Sequence, residues 1–340
     1  MRQPPPNDLA ENALPPKKKS QVRFALRLLL VAACAAAIVY VAHQKRKDLA
    51  VLLNIRPWIM AALGGLFATY YALESVRYQI VLSRVAQVRI ALGEWFRLFV
   101  LAQWLNIFFP QLGTVYRGVQ LRKLHGVSYT GYISSYAAFA WVDICLNMLI
   151  TLAALAATRS PLRIANLPAW GFMLALLGSV VIVPLALSAF LSLLPASRHR
   201  HLAWAHTKSR QVVVAMRQSV TDAGYLARIA LLGVVTFGIM TAAFGVCFLG
   251  LGLPVSLPGL TLFYALYKLS TYVVVTPGNI GLLELLCAAL GEQIHVGAVA
   301  GLLACGMVRV SGYAVLAALA MGMGGLRLIR QRNEIPREEG

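Results

Sequence analysis

Long apolar segments alternate with short polar or basic connections along most of the chain. A helix that spans a bilayer needs about 20 mainly apolar residues. The pattern therefore predicts an all-α, polytopic membrane helix bundle with about six full spans. The predicted spans are residues 24–42, 57–73, 131–157, 167–194, 228–251 and 296–326. We interpret the first segment as an uncleaved anchor, because it is longer than the core of about 7 to 15 residues in a signal peptide.

One apolar segment of intermediate length, residues 96–109, is too short to span comfortably. Asn106 lies near its end, and Pro110 and Gly113 follow it. Proline has no backbone N–H, and glycine adopts backbone conformations that other residues resist. The pattern predicts a helix that breaks here and turns back as a re-entrant hairpin.

A second break is predicted near the C-terminal end of the chain. Two short apolar runs, 260–275 and 282–290, flank a stretch that contains Pro277, Gly278 and Gly281. Irregular backbone at membrane depth is tolerated only where protein or a watery cavity covers it. We interpret this stretch as the tip of another re-entrant hairpin, and an ordinary loop between two helices is the alternative.

Composition supports a membrane protein. Of the 340 residues, 59% are hydrophobic and only 13% are charged, and the mean hydropathy is +0.71. Soluble domains contain about 25% charged residues. The net charge of +19 comes from short basic blocks between apolar segments, a distribution that indicates membrane topology and argues against nucleic-acid binding.

The distribution of basic residues predicts the orientation. With both termini in the cytoplasm and neither hairpin crossing fully, most of the 31 basic residues lie on the inner side. The two hairpins then enter from opposite sides, which suggests an inverted pseudo-repeat. Paired broken segments in two halves of a chain are a pointer to a transporter's binding site. We expect a disordered basic tail at 1–22, a transmembrane domain at 23–327 and a short cytoplasmic tail at 328–340.

Cysteine and histidine positions do not predict a metal site or a disulfide framework. The cysteines all lie in apolar runs without C-x-x-C spacing, and we interpret them as small buried side chains. Three histidines lie close together in a basic loop without acidic or thiol ligands nearby, and we interpret them as a solvated face. We expect no metal and no cofactor. The residues concerned are Cys34, Cys145, Cys247, Cys287, Cys305, His199, His201 and His206.

Five charged residues lie in or beside apolar segments: Arg117, Asp143, Lys268, Glu284 and Arg309. A charge at the bilayer centre costs about 2.5 to 3.5 kcal/mol on insertion scales, so these side chains should face inward and pair. We expect Glu284 to pair with Arg309, and Asp143 to pair with Lys268 or Arg117. The pairs are either structural or part of a site for an anionic headgroup, which the planar donors of arginine suit.

The last predicted helix carries small residues at intervals of four, which places them on one face and lets another backbone approach closely. The residues on this face are Gly297, Gly301, Cys305, Arg309 and Tyr313.

The motif from Pro277 to Glu284, with Gly291, Arg309 and Tyr313 after it, resembles the C-terminal signature of the lysylphosphatidylglycerol synthase transmembrane family. The first predicted hairpin and Asp143 resemble its N-terminal half, through Asn106, Pro110, Gly113, Arg117 and Leu121. The chain departs from the usual pattern at Thr114, Ala140, Trp141 and Asn279.

The resemblance implies a flippase-like integral membrane protein of the bacterial cytoplasmic membrane that binds and translocates a phospholipid or lipid-linked headgroup. Only 14 residues follow Leu326, so we expect a stand-alone member without the soluble synthase domain, and not an enzyme. The expected partners are membrane lipids, anionic or lipid-linked, and not nucleic acid. The alternative is a non-transporting accessory that positions a lipid or glycolipid biosynthetic enzyme through basic loops such as 195–227. The headgroup-binding residues implied are Asn106, Pro110, Gly113, Arg117, Asp143, Lys268, Pro277, Gly278, Gly281, Glu284, Arg309 and Tyr313.

Overall fold

The computed structural model describes residues 56–108, 111–159, 161–164, 166–193, 222–272 and 281–324. These parts form an all-α bundle, as the apolar pattern predicts. The helices are α1 (Pro57–Val85), α2 (Leu92–Phe108), α3 (Leu112–His125), α4 (Tyr129–Ala157), α5 (Ala169–Leu193), α6 (Ala223–Gly250), α7 (Leu257–Tyr272), α8 (Leu282–Gln293) and α9 (Ala298–Gly322). Strands β1 (Arg163–Ile164) and β2 (Leu167–Pro168) form a small antiparallel ladder between α4 and α5.

Within the described residues, four helices are long and apolar enough to cross a membrane: α1, α4, α6 and α9. The apolar part of α5 covers Ala169–Val183. The first predicted span, 24–42, lies outside the described residues, and so do both predicted terminal tails. The total of six spans therefore stays a prediction.

Helix α1 corrects one predicted boundary. The sequence pattern ends this span near Leu73 because Glu74 and Arg77 follow, whereas the helix continues to Val85. Both charged residues are buried inside the bundle, with Arg77 only 1% exposed. The helix continues because Tyr78 and Leu82, which follow, are also buried, and because the two charges pair with Asp143 and Lys268 on other helices.

The first predicted hairpin is a pair of packed helices, α2 and α3. The chain reverses at Gln111, which has a left-handed backbone conformation with φ of 64°. The side-chain oxygen of Asn106 accepts a hydrogen bond of 2.8 Å from the backbone N–H of Gly113. A side chain at Gly113 would collide with the backbone oxygen of Ala102, so glycine is required for the helices to approach this closely. Pro110 lies outside the described residues.

The second hairpin consists of α7 and α8, which contact each other and are joined through residues 273–280, outside the described part of the chain. Helix α8 packs most extensively on α9. Here Gly301 lies against the backbone of Cys287, and the Cα atom of Gly301 is 3.0 Å from the Cβ position that a side chain at Gly291 would take. The predicted small-residue face of the last helix is therefore a site of close helix packing.

Helix α1 organises the bundle because it contacts α2, α4, α6 and α9. Two apolar clusters fill the interior. One is centred on aromatic residues of α6 and α7, including Phe244 and Phe263. The other contains Tyr78, Trp95 and Phe99, where α1 meets the first hairpin. The bundle also buries charged residues, among them Glu74, Arg77, Asp143 and Arg309, and these define the candidate site.

Candidate functional site

A cavity of about 380 Å³ opens between the two hairpins and helices α1 and α9. Ligand sites in proteins commonly measure about 300 to 1,000 Å³. Its wall combines aromatic rings with a limited number of polar groups, which is the usual composition of a small-molecule site. The polar and tyrosine residues in the wall are Tyr70, Tyr71, Glu74, Gln103, Asn106, Gln111, Thr114, Tyr136, Tyr264, Tyr267, Lys268, Thr271, Tyr272, Arg309 and Tyr313.

Glu74 and Lys268 line one side of the cavity and belong to a cluster of two acids and two bases, Glu74, Arg77, Asp143 and Lys268, which we call the four-charge cluster. The ammonium group of Lys268 lies 3.3 Å from Oε1 of Glu74 and 3.3 Å from Oδ2 of Asp143. Arg77 lies 3.0 Å from Oε2 of Glu74 and also forms an ion pair with Oδ1 of Asp143. Each acid therefore contacts both bases, and the cluster has no net formal charge.

Three hydroxyl groups complete the four-charge cluster. The Tyr272 hydroxyl donates a 2.6 Å hydrogen bond to Oδ2 of Asp143. Lys268 donates to the Tyr70 hydroxyl at 3.0 Å, and Arg77 donates to Thr236 at 3.1 Å. These groups come from α1, α4, α6 and α7, so the cluster ties four helices together. Buried charges are tolerated when most of their hydrogen-bonding capacity is satisfied in this way, although the Nε atom of Arg77 has no hydrogen-bond partner among the described residues.

A second charged group lies where α8 meets α9. Glu284 and Arg309 form an ion pair of 2.5 Å, as predicted from their sequence context. Arg309 also donates a 2.8 Å hydrogen bond to the Tyr313 hydroxyl, one helical turn further on. The other carboxylate oxygen of Glu284 accepts a 2.6 Å hydrogen bond from the backbone N–H of Gly281. Glu284 therefore fixes the start of α8 and positions Arg309 at the cavity wall at the same time.

Arg117 does not join either charged group, contrary to one of the two pairings predicted for Asp143. It is 4% exposed and lies over the rings of Phe99 at 5.1 Å and Tyr78 at 5.2 Å. No carboxylate pairs with it within the described residues. Aromatic faces stabilise a guanidinium through cation–π attraction, which is stronger when the group is shielded from water.

The other predicted site residues differ in whether they line the cavity. Four line the cavity: Asn106, Lys268, Arg309 and Tyr313. Four others do not line the cavity but contact residues that do, directly or through one another. Gly113 donates a hydrogen bond to Asn106, and Asp143 contacts Lys268 and Tyr272. Glu284 pairs with Arg309 and accepts a hydrogen bond from Gly281. Pro110, Pro277 and Gly278 lie outside the described residues.

Sequence reasoning missed Glu74 and Arg77 as members of the site. Their signal was an acid and a base three positions apart, with apolar residues continuing on both sides. It also missed the amide and hydroxyl groups of the first hairpin that line the cavity, Gln103, Gln111 and Thr114.

Several cysteines are small interior side chains, as predicted. Cys247, Cys287 and Cys305 are buried and Cys145 is partly buried, and all are free thiols. Cys34 and the three clustered histidines lie outside the described residues. No group of three or more potential metal ligands occurs in the part of the chain that the structure describes.

The family model for the transmembrane region of lysylphosphatidylglycerol synthase matches residues 24–320. The chain belongs to this family. The match covers both hairpins, the four-charge cluster and the pair between Glu284 and Arg309. No curated protein and no solved structure matches the chain.

Family membership and the four spanning helices together identify an integral membrane protein of lipid metabolism or transport. The cavity and its charged wall therefore lie in a transmembrane region whose family acts on lipids.

Proposed function

We propose that the protein binds the polar headgroup of a phospholipid or lipid-linked molecule in the cavity and translocates it between the two leaflets. The observation that carries this proposal is the cavity, because it brings polar groups of both hairpins together inside an apolar bundle. The acyl chains would remain in the surrounding lipid. No covalent chemistry is required of the protein in this role.

The physical problem in lipid translocation is the headgroup. The hydrocarbon core of a bilayer is about 30 Å thick, and polar groups lose their hydrogen bonds to water when they enter it. The cavity offers replacement hydrogen bonds from Gln103, Asn106 and Thr114 of the first hairpin, and Lys268 and Arg309 lie in the opposite wall, where protein groups pair with them. A headgroup in contact with these groups would have a lower barrier than one that crosses the lipid alone.

Both broken segments contribute to the cavity wall, which supports a role in movement. Lys268 lies on α7 of the second hairpin, and Gln111 and Thr114 begin α3 of the first. Discontinuous helices are characteristic of transporter binding sites, where their half-helices shift relative to the rest of the bundle. We propose that small displacements of the two hairpins expose the cavity to one leaflet and then to the other.

The test is leaflet exchange of headgroup-labelled lipids in liposomes that contain the purified protein. A Thr114→Trp variant fills the cavity without changing any charge, and a Val115→Trp variant makes a similar change at an exposed neighbouring position of α3. We expect exchange with the wild type and the Val115 variant, and loss of exchange with the Thr114 variant. Equal exchange in both variants would exclude the cavity as the route. Folded wild-type protein that exchanges no lipid would favour the accessory function.

A further inference from the structure

We infer that the cavity selects an uncharged, hydroxyl-rich headgroup, such as a glycosyl group, over an anionic phosphate headgroup. This inference rests on the proposed function and specifies the substrate class of the same cavity. It follows from which polar groups of the wall are already satisfied by the protein and which still have hydrogen-bonding capacity to offer.

The charged groups of the wall are satisfied by the protein. The ammonium group of Lys268 contacts Tyr70 at 3.0 Å, Glu74 at 3.3 Å and Asp143 at 3.3 Å. The contacts with Tyr70 and Glu74 are hydrogen bonds and the contact with Asp143 is an ion pair, so two carboxylates already neutralise this ammonium group. Arg309 likewise contacts Glu284 and Tyr313.

An anionic ligand would therefore have to compete with a carboxylate that is already in place. If a phosphate displaced Glu74 or Asp143 from Lys268, the displaced carboxylate would lose a cation inside the bundle. Removing one partner of a buried ion pair is strongly unfavourable, because it leaves an uncompensated buried charge. The neutral balance of the four-charge cluster thus disfavours a net negative charge in the cavity.

The neutral polar side chains of the first hairpin, in contrast, have hydrogen-bonding groups without a partner among the described residues. Within the described residues, the side chain of Gln111 and the hydroxyl of Thr114 form no hydrogen bond, although both line the cavity. Gln103 accepts only a long contact of 3.5 Å from Asn106, so its own amide N–H donors have no partner among these residues. Amide and hydroxyl groups both donate and accept hydrogen bonds, which matches the hydroxyl groups of a sugar.

Tyrosine rings supply the rest of the recognition surface. Tyr71, Tyr136, Tyr264 and Tyr267 line the cavity beside the charged groups. A tyrosine presents an apolar ring and a polar tip, so it can cover the carbon face of a sugar and reach its hydroxyl groups. The cavity therefore combines neutral hydrogen-bonding groups with aromatic faces, and its charges are paired within the protein.

The test measures binding and movement separately. Full-length protein is purified, incubated with three lipids that have the same acyl chains, and examined by native mass spectrometry for retained lipid. The lipids are glucosyl diacylglycerol, which is uncharged, phosphatidylglycerol, which is anionic and also carries hydroxyl groups, and phosphatidylcholine, which is zwitterionic. The same three lipids, labelled, are then used in the liposome exchange assay.

We expect glucosyl diacylglycerol to be retained more than either phospholipid. The variants Gln103→Leu and Gln111→Leu should each reduce its retention by about two- to tenfold, the effect of one lost hydrogen bond. Gln293→Leu, the same change at an exposed position at the end of α8, should leave retention unchanged. Thermal unfolding of each variant controls for folding.

Equal or greater retention of phosphatidylglycerol or phosphatidylcholine would overturn the inference. So would retention of the glycolipid that is insensitive to both glutamine changes. Selective retention without exchange of any lipid would contradict the proposed translocation and leave the selectivity supported. Exchange that is fastest for phosphatidylglycerol would support translocation and overturn the selectivity, and folded protein that neither retains nor exchanges any lipid would overturn both.

Discussion

Replacing Lys268 by methionine tests whether the four-charge cluster stabilises the bundle. The change removes one of two cations and leaves Glu74, Asp143 and Arg77 with a net negative charge inside the protein. The Tyr70 hydroxyl also loses its donor at 3.0 Å. The four-charge cluster holds together helices that are distant in the sequence, so its disruption should lower the stability of the whole bundle.

The expected magnitude follows from the two contacts of 3.3 Å that Lys268 makes with the carboxylates. With an effective dielectric constant of about 20, each is worth about 5 kcal/mol of Coulomb attraction. Relief of the desolvation of the ammonium group offsets much of this sum. Measured losses for breaking a buried pair are about 3 to 5 kcal/mol, and we expect Lys268→Met to lower the free energy of unfolding by that amount.

The assay is denaturant or thermal unfolding in a fixed detergent, with Arg84→Met as the matched control. Arg84 pairs with Asp222 at 3.4 Å, but both side chains are almost half exposed, so its loss should cost about 0 to 1 kcal/mol. Combining Lys268→Met with Asp143→Asn removes one charge of each sign. The double variant should be more stable than the sum of the single losses predicts. Equal losses for Lys268→Met and Arg84→Met, or strictly additive losses in the double variant, would refute the reasoning.

Three further changes test other parts of the structure. Glu284→Gln or Arg309→Gln should each destabilise the protein. If the pair is only structural, a double variant in which the two residues are swapped restores both stability and lipid exchange. A swapped variant that folds but does not exchange lipid places the pair in the headgroup site. Gly301→Ala should lower the unfolding temperature because its methyl group would meet the backbone of α8. Gly64→Ala is the control, since a methyl group there has open space, and an equal loss in both variants would contradict the close packing. Gly113→Ala should separate α2 from α3 and speed proteolysis between them, and unchanged proteolysis would argue against the tight hairpin.

The pairing of Glu284 with Arg309 could be predicted because charges are scarce in the apolar C-terminal region. With few alternatives at membrane depth, the cost of an unpaired charge nearly determines the partner. The spacing of Gly301 and Arg309 on one face of the last helix placed the pair at a packed surface. The structure confirms both the ion pair and the close approach of α8.

The four-charge cluster could be predicted only in part. The contact between Lys268 and Asp143 was one of two expected pairings, but Glu74 and Arg77 were interpreted as the polar end of a span. Their partners lie far away in the sequence, since Arg77 and Asp143 are 66 positions apart and Glu74 and Lys268 are 194 apart. Hydropathy measures the cost of a charge at one position and does not include a partner that tertiary packing supplies.

The sequence pattern also did not predict the environment of Arg117. Its charge suggested a carboxylate partner, whereas aromatic rings from α1 and α2 surround it. Those rings face α3 only after the first hairpin has folded back on itself. The cavity depends on the same event, because Gln111 and Thr114 reach its wall through the break that Gly113 permits.

The most direct measurement is photo-crosslinking of a lipid that carries a diazirine in its headgroup, with the adducts mapped by peptide mass spectrometry of protein in liposomes. If headgroups enter the cavity, adducts will concentrate on wall residues such as Gln111, Thr114 and Tyr267. Excess unlabelled lipid will compete them away. Adducts confined to exposed positions such as Leu231 and Val310, with none in the cavity, would contradict headgroup binding between the two hairpins.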